Sequence, residues 1–136
     1  MKRISFNPRF VNEDGNDLKS GKIHTIRQNY EYWKKYEGQE VALFTWEGKP
    51  YRSKQKVFCV KRIVSIQEVW YCKPEKSDGF YFLFEGQQAY LNVVSKNKQS
   101  MSKNDGFNHV DEFFNWFSKG YKTGVMAVLH FTDFRY

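Results

Sequence analysis

The sequence has no long hydrophobic run and is poor in cysteine and proline. Its 136 residues include two cysteines and three prolines, and only 40% are hydrophobic. No stretch approaches the roughly 20 apolar residues that a membrane-spanning helix needs, and no apolar segment follows the charges at the start, so we expect neither a membrane span nor a signal peptide. Cys59 and Cys72 are too few for a disulfide framework in a chain of this length. We therefore expect a cytoplasmic protein.

Several signatures of cofactor and metal chemistry are missing as well. His24, His109 and His130 have no partners at ligand spacing, and the two cysteines do not form a Cys-x-x-Cys pair, so we expect no metal site. The sequence also lacks a phosphate-binding loop, a glycine-rich dinucleotide fingerprint and a serine nucleophile elbow. We expect no bound cofactor.

Aromatic residues and positive charge are abundant. From its length we interpret the chain, residues 1–136, as one domain. Phe, Tyr and Trp make up 19% of the residues, so we expect a core built largely of rings. The net charge of +7 attracts polyanions such as nucleic acid, or it serves only to keep the surface soluble. The basic residues are spread along the chain, with local clusters at Lys34-Lys35, Arg52–Lys56 and Lys61-Arg62.

Hydrophobic periodicity predicts an α+β fold with a β-rich middle. The predicted strands are Ile4–Phe6, Val41–Trp46, Lys56–Val69, Phe80–Phe84, Ala89–Leu91 and Val125–Phe131. Tyr30–Tyr36 is predicted to form one or two helical turns, Asn12–Ser20 a weak helix or irregular turn, and Lys73–Gly79 a loop. Apolar residues at i, i+3, i+4 and i+7 predict an amphipathic helix from Val110 to Phe117, with Asn108 as its N-cap.

The most informative polar cluster lies between Gly21 and Arg27. Thr25 and Arg27 are two residues apart, so in a strand they share one face, and Lys22 can reach that face from the preceding bend. An amine, a hydroxyl and a guanidinium together suit a polar ligand that is anionic or bears a carbonyl group. The alternative is a solvated strand with scattered charges. Asn104–Phe107 is a second polar cluster, whose simpler interpretation is a turn with an Asx hydrogen bond.

Lys22, Thr25 and Asp105 together form a candidate catalytic set for hydrolysis. A partly desolvated lysine has a lowered pKa and can act as a base, and a threonine hydroxyl beside it can be activated as a nucleophile or can position water. A carboxylate can carry the proton to a leaving amine. Arg27 either orients an oxygen of the substrate or anchors its strand. Nothing in the sequence alone brings Asp105 to Lys22.

Several segments in order carry a resemblance to a known family. Phe6–Phe10 and Gly21–Arg27 resemble the ASCH domain, a member of the PUA-like β-barrel superfamily. Asn104–Phe107, Glu112–Phe117 and His130–Tyr136 are similar to a Bacteroidetes-type subgroup of that family. The resemblance covers nearly the whole chain. It implies a PUA-like, mostly antiparallel β-barrel with helices packed at its mouth.

The resemblance also implies two functions. Small bacterial ASCH proteins are amidohydrolases that deacetylate N4-acetylcytidine with a Lys-x-x-Thr pair and a downstream Glu. Lys22 and Thr25 match that pair, whereas the aligned carboxylate is Asp105, one methylene shorter. Other ASCH and PUA-like proteins are regarded as RNA-binding modules, which agrees with the basic composition.

We therefore hypothesise a domain that binds RNA, a nucleobase or a nucleoside in a cleft lined by Lys22, Thr25, Arg27 and Asp105. Further candidate ligand-binding residues are His24, Asn104 and Tyr30. One alternative is an amidohydrolase acting on N4-acetylcytidine or a related modified nucleoside. A second alternative is a protein–protein interaction module with an exposed apolar helix face, made of Phe113, Phe114, Trp116 and Phe117. The sequence does not specify an oligomeric state.

Overall fold

The structure is a computed structural model that describes residues 1–75, 79–84 and 101–136, together with the backbone of residues 91–92. Its strands are β1 (Lys2–Ser5), β2 (His24–Gln28), β3 (Glu40–Trp46), β4 (Gln55–Arg62), β5 (Ser65–Cys72), β6 (Tyr81–Phe84), β7 (Leu91–Asn92) and β8 (Gly124–His130). Its helices are α1 (Tyr30–Trp33) and α2 (Val110–Ser118), with 3-10 turns at Pro8–Phe10 and Lys34–Tyr36 and a helical turn at residues 101–104. The predicted loop Lys73–Gly79 lies partly, and the predicted strand Ala89–Leu91 mostly, outside the described residues.

The strands form two sheets, so the predicted α+β class is confirmed. One sheet has the order β1-β3-β4 and the other the order β2-β8-β5-β6-β7. β1 runs parallel to β3, and the remaining pairs are antiparallel. Across residues 1–75, 79–84, 91–92 and 101–136, no strand pairing closes the two sheets into a barrel.

The predicted single strand Lys56–Val69 is wrong, because the chain passes from one sheet to the other within it. The amide of Ile63 donates to the carbonyl of Gln39, on the β3 side (2.9 Å), and the amide of Val64 donates to the carbonyl of His130, at the end of β8 (2.8 Å). Ile63 is buried, Val64 is exposed and Ile66 is the next buried residue, so the burial pattern shifts by one position between the two sheets. The alternation of residue types in the sequence did not indicate this break.

The N-cap prediction for α2 needs correction, whereas for Asn12–Ser20 the irregular turn, one of the two predicted alternatives, is confirmed. His109, not Asn108, is the N-cap of α2, and its side chain makes no capping hydrogen bond. Asn108 Oδ1 instead accepts a hydrogen bond from Nζ of Lys19 at 2.8 Å, a tertiary contact that competes with capping. Asn12–Ser20 contains turns and no helix, because the Asn12 side chain accepts from the backbone amides of Asn16 and Asp17. Such Asx bonding favours turns over helices.

The core combines aromatic rings, which the composition predicted, with aliphatic side chains such as Ile4, Leu43 and Val128. Phe80 and Phe82 lie against Phe113 and Phe117 of α2, with ring centroids 5.5–6.4 Å apart. Phe113 and Phe117 are each 1% exposed, and the hydroxyl of Tyr71 donates to the carbonyl of Phe117. The helix face expected to form an exposed apolar patch is thus buried in large part, because α2 packs this face onto the larger sheet.

Two further observations concern membrane insertion and the cysteines. Among the helices of the described ranges, none is long and apolar enough to cross a membrane. Cys59 and Cys72 are both free thiols and half-buried.

Candidate functional site

Two distant segments meet where β2 begins. The amide of Ile23 donates to the carbonyl of Asn104 (2.8 Å), and the amide of Phe131 donates to the carbonyl of Ile23 (3.0 Å). The first bond holds the 101–107 segment against the residue that precedes β2, and the second holds that residue beside the end of β8. As a result Lys22 and Asp105, which are 83 positions apart, come into direct contact.

Lys22 and Asp105 form a buried ion pair. Nζ of Lys22 donates to the backbone carbonyl of Asp105 at 2.6 Å and to Oδ1 of its carboxylate at 3.1 Å. Lys22 is 6% exposed and Asp105 is 4% exposed. Burial of a pair is tolerated when the charges are paired and hydrogen-bonded, as they are here. The structure therefore supplies the contact that the sequence left open.

Burial dominates the electrostatics of Lys22. Desolvation lowers the pKa of Lys22 below its ordinary value, and the Asp105 carboxylate opposes this shift without cancelling it. The Nζ atom also lies 4.4 Å from the ring centroid of Phe10, a cation–π distance. A lysine in this environment reaches its neutral form closer to neutral pH than an exposed lysine does, so it can hold or accept a proton.

Thr25 and Arg27 share one face of β2, which confirms the spacing argument. Nε of Arg27 donates to Oγ1 of Thr25 at 3.0 Å, and Nη2 donates to the carbonyl of Ser5 at 2.6 Å. Arg27 thus ties β2 to the end of β1 and fixes the threonine. Oγ1 of Thr25 accepts this bond and has no acceptor for its own proton among the described residues, so the hydroxyl can donate to a ligand. No hydrogen bond joins Lys22 to Thr25 in the described part of the chain.

These four side chains border a cavity of about 390 Å³. Its polar floor comprises Lys22, Thr25, Arg27 and Asp105, and its walls are mainly rings. The wall residues include Phe6, Phe10, Trp46, Tyr51, Trp116, Phe117 and Tyr121. A few convergent polar groups within an apolar concavity are typical of small-molecule sites, and the volume lies within their usual range.

A second layer of polar groups lies behind Asp105. Nδ1 of His24, a fully buried residue, is 3.3 Å from Oδ1 of Asp105, without the alignment of a full hydrogen bond. Its Nε2 is 2.6 Å from the hydroxyl of Tyr136, which also accepts from Nδ2 of Asn104 at 3.4 Å. Burial lowers the pKa of His24, which favours the neutral ring. With the ring proton on Nδ1 facing the carboxylate, Nε2 accepts from Tyr136.

The structure separates the candidate site residues into two groups. Lys22, Thr25, Arg27 and Asp105 line the cavity, whereas His24, Asn104 and Tyr30 do not. His24 and Asn104 lie behind Asp105, and Tyr30 is the first residue of α1. His24 and Asn104 are therefore placed to orient Asp105 rather than to contact a ligand in this cavity.

Sequence reasoning missed Tyr136 and the aromatic walls. Tyr136 lies 112 positions from its partner His24, so no local pattern links them. For Tyr51 the sequence contains a signal, since this aromatic residue directly follows Glu47-Gly48-Lys49-Pro50, a segment typical of a turn. A solvent-exposed turn has no packing requirement for a ring.

Neither the metal-ligand residues nor the comparisons with known proteins indicate a function. In the residues that the structure describes, no group of three or more His, Cys, Asp or Glu side chains is arranged to hold a metal ion. No protein-family model, curated protein or solved structure matches this chain.

Proposed function

We propose that this chain is a PUA-like domain of the ASCH type, and that its cavity binds a nucleobase or nucleoside, free or within RNA. The observation that carries the proposal is the buried Lys22–Asp105 pair at the floor of a ring-walled cavity. A nucleobase is flat, and its edge presents donors and acceptors side by side. It therefore complements a polar floor flanked by aromatic walls.

The polar floor offers complementary groups to such an edge. Lys22 and Arg27 carry donors, Thr25 has a proton to donate, and Asp105 accepts. Among the described residues, Oδ2 of Asp105 accepts no hydrogen bond, since Lys22 and His24 both approach Oδ1. An amino group or ring N–H of a base is the kind of donor that this oxygen suits. Single-stranded bases are commonly read in this way, by edge hydrogen bonds and stacking.

Positive charge beside the cavity supports a ligand that includes a phosphate backbone. The loop that carries Tyr51 also carries Lys49, Arg52 and Lys54, and all three are exposed. Exposed lysines and arginines bind phosphates without reading sequence, whereas the cavity reads a base. RNA with one base inserted in the cavity uses both features.

Binding of nucleosides to the purified protein tests this proposal. We expect cytidine, uridine, adenosine, guanosine or N4-acetylcytidine to bind with a measurable heat in isothermal titration calorimetry. Lys22→Met retains the apolar stem and removes the charge, so it should weaken binding at least about tenfold, the effect of about one charged hydrogen bond. Lys119→Ala, at the exposed end of α2, is the matched control and should bind normally. Absence of binding to the folded wild-type protein would overturn the proposal.

A second candidate function is amide hydrolysis of N4-acetylcytidine, favoured by the lowered pKa of Lys22. A neutral Lys22 can take a proton from water as the water oxygen attacks the acetyl carbon. The C–N bond then breaks, the proton passes to the exocyclic nitrogen, and acetate and cytidine are released. Asp105 would hold the Lys22 ammonium during this transfer, and Thr25 would donate to the substrate oxygen.

Acetate release distinguishes the two functions. Turnover of N4-acetylcytidine that is lost in Lys22→Met and in Thr25→Val, with both variants folded by circular dichroism, supports the enzyme. Binding of N4-acetylcytidine without acetate release supports a recognition site. Thr25→Ser keeps the hydroxyl and should retain turnover if that hydroxyl acts on the substrate.

A further inference from the structure

Tyr51 combines two features that folding stability does not explain. Its side chain is 89% exposed, and its backbone φ is +64°. A bulky residue in the left-handed region is strained relative to glycine, and such outliers concentrate at functional sites. An exposed turn position under this strain would favour glycine or asparagine if only stability mattered.

The loop around Tyr51 is held by its own hydrogen bonds. The amide of Gly48 donates to Oγ of Ser53, and this hydroxyl donates to the carbonyl of Lys49, both at 2.9 Å. The amide of Arg52 donates to the carbonyl of Lys49 at 3.1 Å. The unusual backbone conformation at position 51 is thus fixed before any ligand arrives.

The ring of Tyr51 is supported from behind. Its centroid lies 5.2 Å from that of Trp46, and Trp46 in turn packs edge-on against the buried Phe44 at 5.3 Å. Both Tyr51 and Trp46 line the cavity that Lys22 and Asp105 close at its floor. Two rings in contact with each other therefore border the same space as the polar floor.

We propose that Tyr51 and Trp46 form an aromatic shelf that stacks on the face of a planar heteroaromatic ring whose polar edge reaches Lys22 and Asp105. The inference rests on the proposed nucleobase-binding function and adds the residue that selects flat rings. The strain at Tyr51 is retained because it presents the ring to the ligand.

Variants of Tyr51 test the shelf by calorimetry with the nucleoside that binds the wild-type protein best among cytidine, uridine, adenosine, guanosine and N4-acetylcytidine. Tyr51→Ala should weaken binding about five- to 150-fold, the range reported for removing one base-stacking ring. Tyr51→Phe should bind within about twofold of wild type. Trp70→Ala removes an exposed ring of β5 that does not line the cavity, and should bind as wild type does.

Thermal unfolding of Tyr51→Gly separates a functional from a structural role. Glycine relieves the positive φ, so its melting temperature should equal or exceed that of the wild type while binding falls as far as in Tyr51→Ala. A melting temperature clearly below that of the wild type would assign Tyr51 a structural role and overturn the inference.

The remaining outcomes are equally decisive. Nucleoside binding that is unchanged in Tyr51→Ala overturns the shelf and leaves the proposed function intact. Loss of binding in Tyr51→Phe as large as in Tyr51→Ala assigns the effect to the hydroxyl and also overturns stacking. Failure of all five nucleosides to bind the wild-type protein overturns the proposed function and the shelf together.

Discussion

The Lys22 side chain passes directly over Gly106. A Cβ atom built at position 106 would lie 2.8 Å from Cδ of Lys22, and also within 3.1 Å of its Cβ and Cγ. These are the inner atoms of the side chain, so a rotation of its far end does not relieve the contact. Gly106 thus permits the approach that pairs Lys22 with Asp105.

Replacement of Gly106 by alanine should therefore cost more than backbone strain alone. Gly106 and Gly120 both have positive φ, but a Cβ at Gly120 meets nothing within 4 Å. Gly120→Ala should lower the free energy of unfolding by about 1–2 kcal/mol, the cost of the left-handed conformation. Gly106→Ala should cost about 1–3 kcal/mol more, the usual cost of overpacking. Equal losses in urea denaturation would contradict the contact with Lys22.

Asp105→Asn should destabilise the protein by about 3 kcal/mol at pH 7, because it leaves the Lys22 ammonium buried without its counter-charge. Desolvation already lowers the pKa of Lys22, and loss of Asp105 lowers it further. The difference in unfolding free energy from the wild type should therefore shrink as pH rises, until Lys22 of the folded wild-type protein also loses its proton, below the ordinary lysine pKa of 10.5. Urea denaturation between pH 7 and pH 10 measures this. A deficit that does not change with pH would show that Lys22 is already neutral at pH 7.

Acid should destabilise the protein through His130. Burial lowers the pKa of His130 from 6.5 to about 3, and neighbouring His24 and Arg135 act in the same direction. The stabilising effect of a neutral His130 is complete above pH 6.5. It is lost progressively as pH falls from 6.5 toward 3, because the unfolded chain takes up a proton that the folded chain refuses.

The pH dependence of unfolding checks this sign. We expect the urea midpoint of the wild-type protein to fall between pH 7 and pH 4, and to fall less steeply in His130→Gln. His109 is exposed, so His109→Gln should keep the wild-type slope. Identical slopes in the wild type and His130→Gln would assign the acid sensitivity to other groups, such as the buried His24.

Salt dependence should identify the phosphate contacts. Simultaneous replacement of Lys49, Arg52 and Lys54 by alanine should weaken binding to a 12-nucleotide single-stranded RNA. The slope of log affinity against log salt concentration should shrink by about two, since each phosphate contact contributes about 0.7 for single strands. Fluorescence anisotropy at several salt concentrations gives the slope.

The double variant Lys34→Ala, Lys35→Ala is the matched control for that experiment. Both lysines belong to a basic cluster that the sequence alone does not distinguish from the cluster at Arg52–Lys56. In the structure Lys34 pairs with Glu31 at 2.5 Å, and Lys35 lies over the ring of Tyr32. Neither residue lines the cavity. A slope change as large as that of the loop variant would assign the RNA contact to the 3-10 turn Lys34–Tyr36.

Local patterns in the sequence determined most of the secondary structure and one half of the site. The strand Val41–Trp46, the helix from Val110 and the shared face of Thr25 and Arg27 follow from periodicities of 2 and 3.6 residues. These periodicities are properties of neighbouring residues, so no tertiary contact is needed to read them.

Only the tertiary structure decided which distant groups meet. The change of sheet at Ile63 and Val64 depends on backbone bonds to Gln39 and His130, which lie far away in the sequence, so no local pattern indicates it. Asn108 bonds Lys19, a residue distant in the sequence, and does not cap α2. Lys22 meets Asp105 because Ile23, the residue before β2, bonds the backbone of the 101–107 segment, and that bond depends on packing rather than on side-chain pattern. The sequence indicated both Lys22 and Asp105 as candidate residues, but the contact between them, across 83 positions, depends on the tertiary fold.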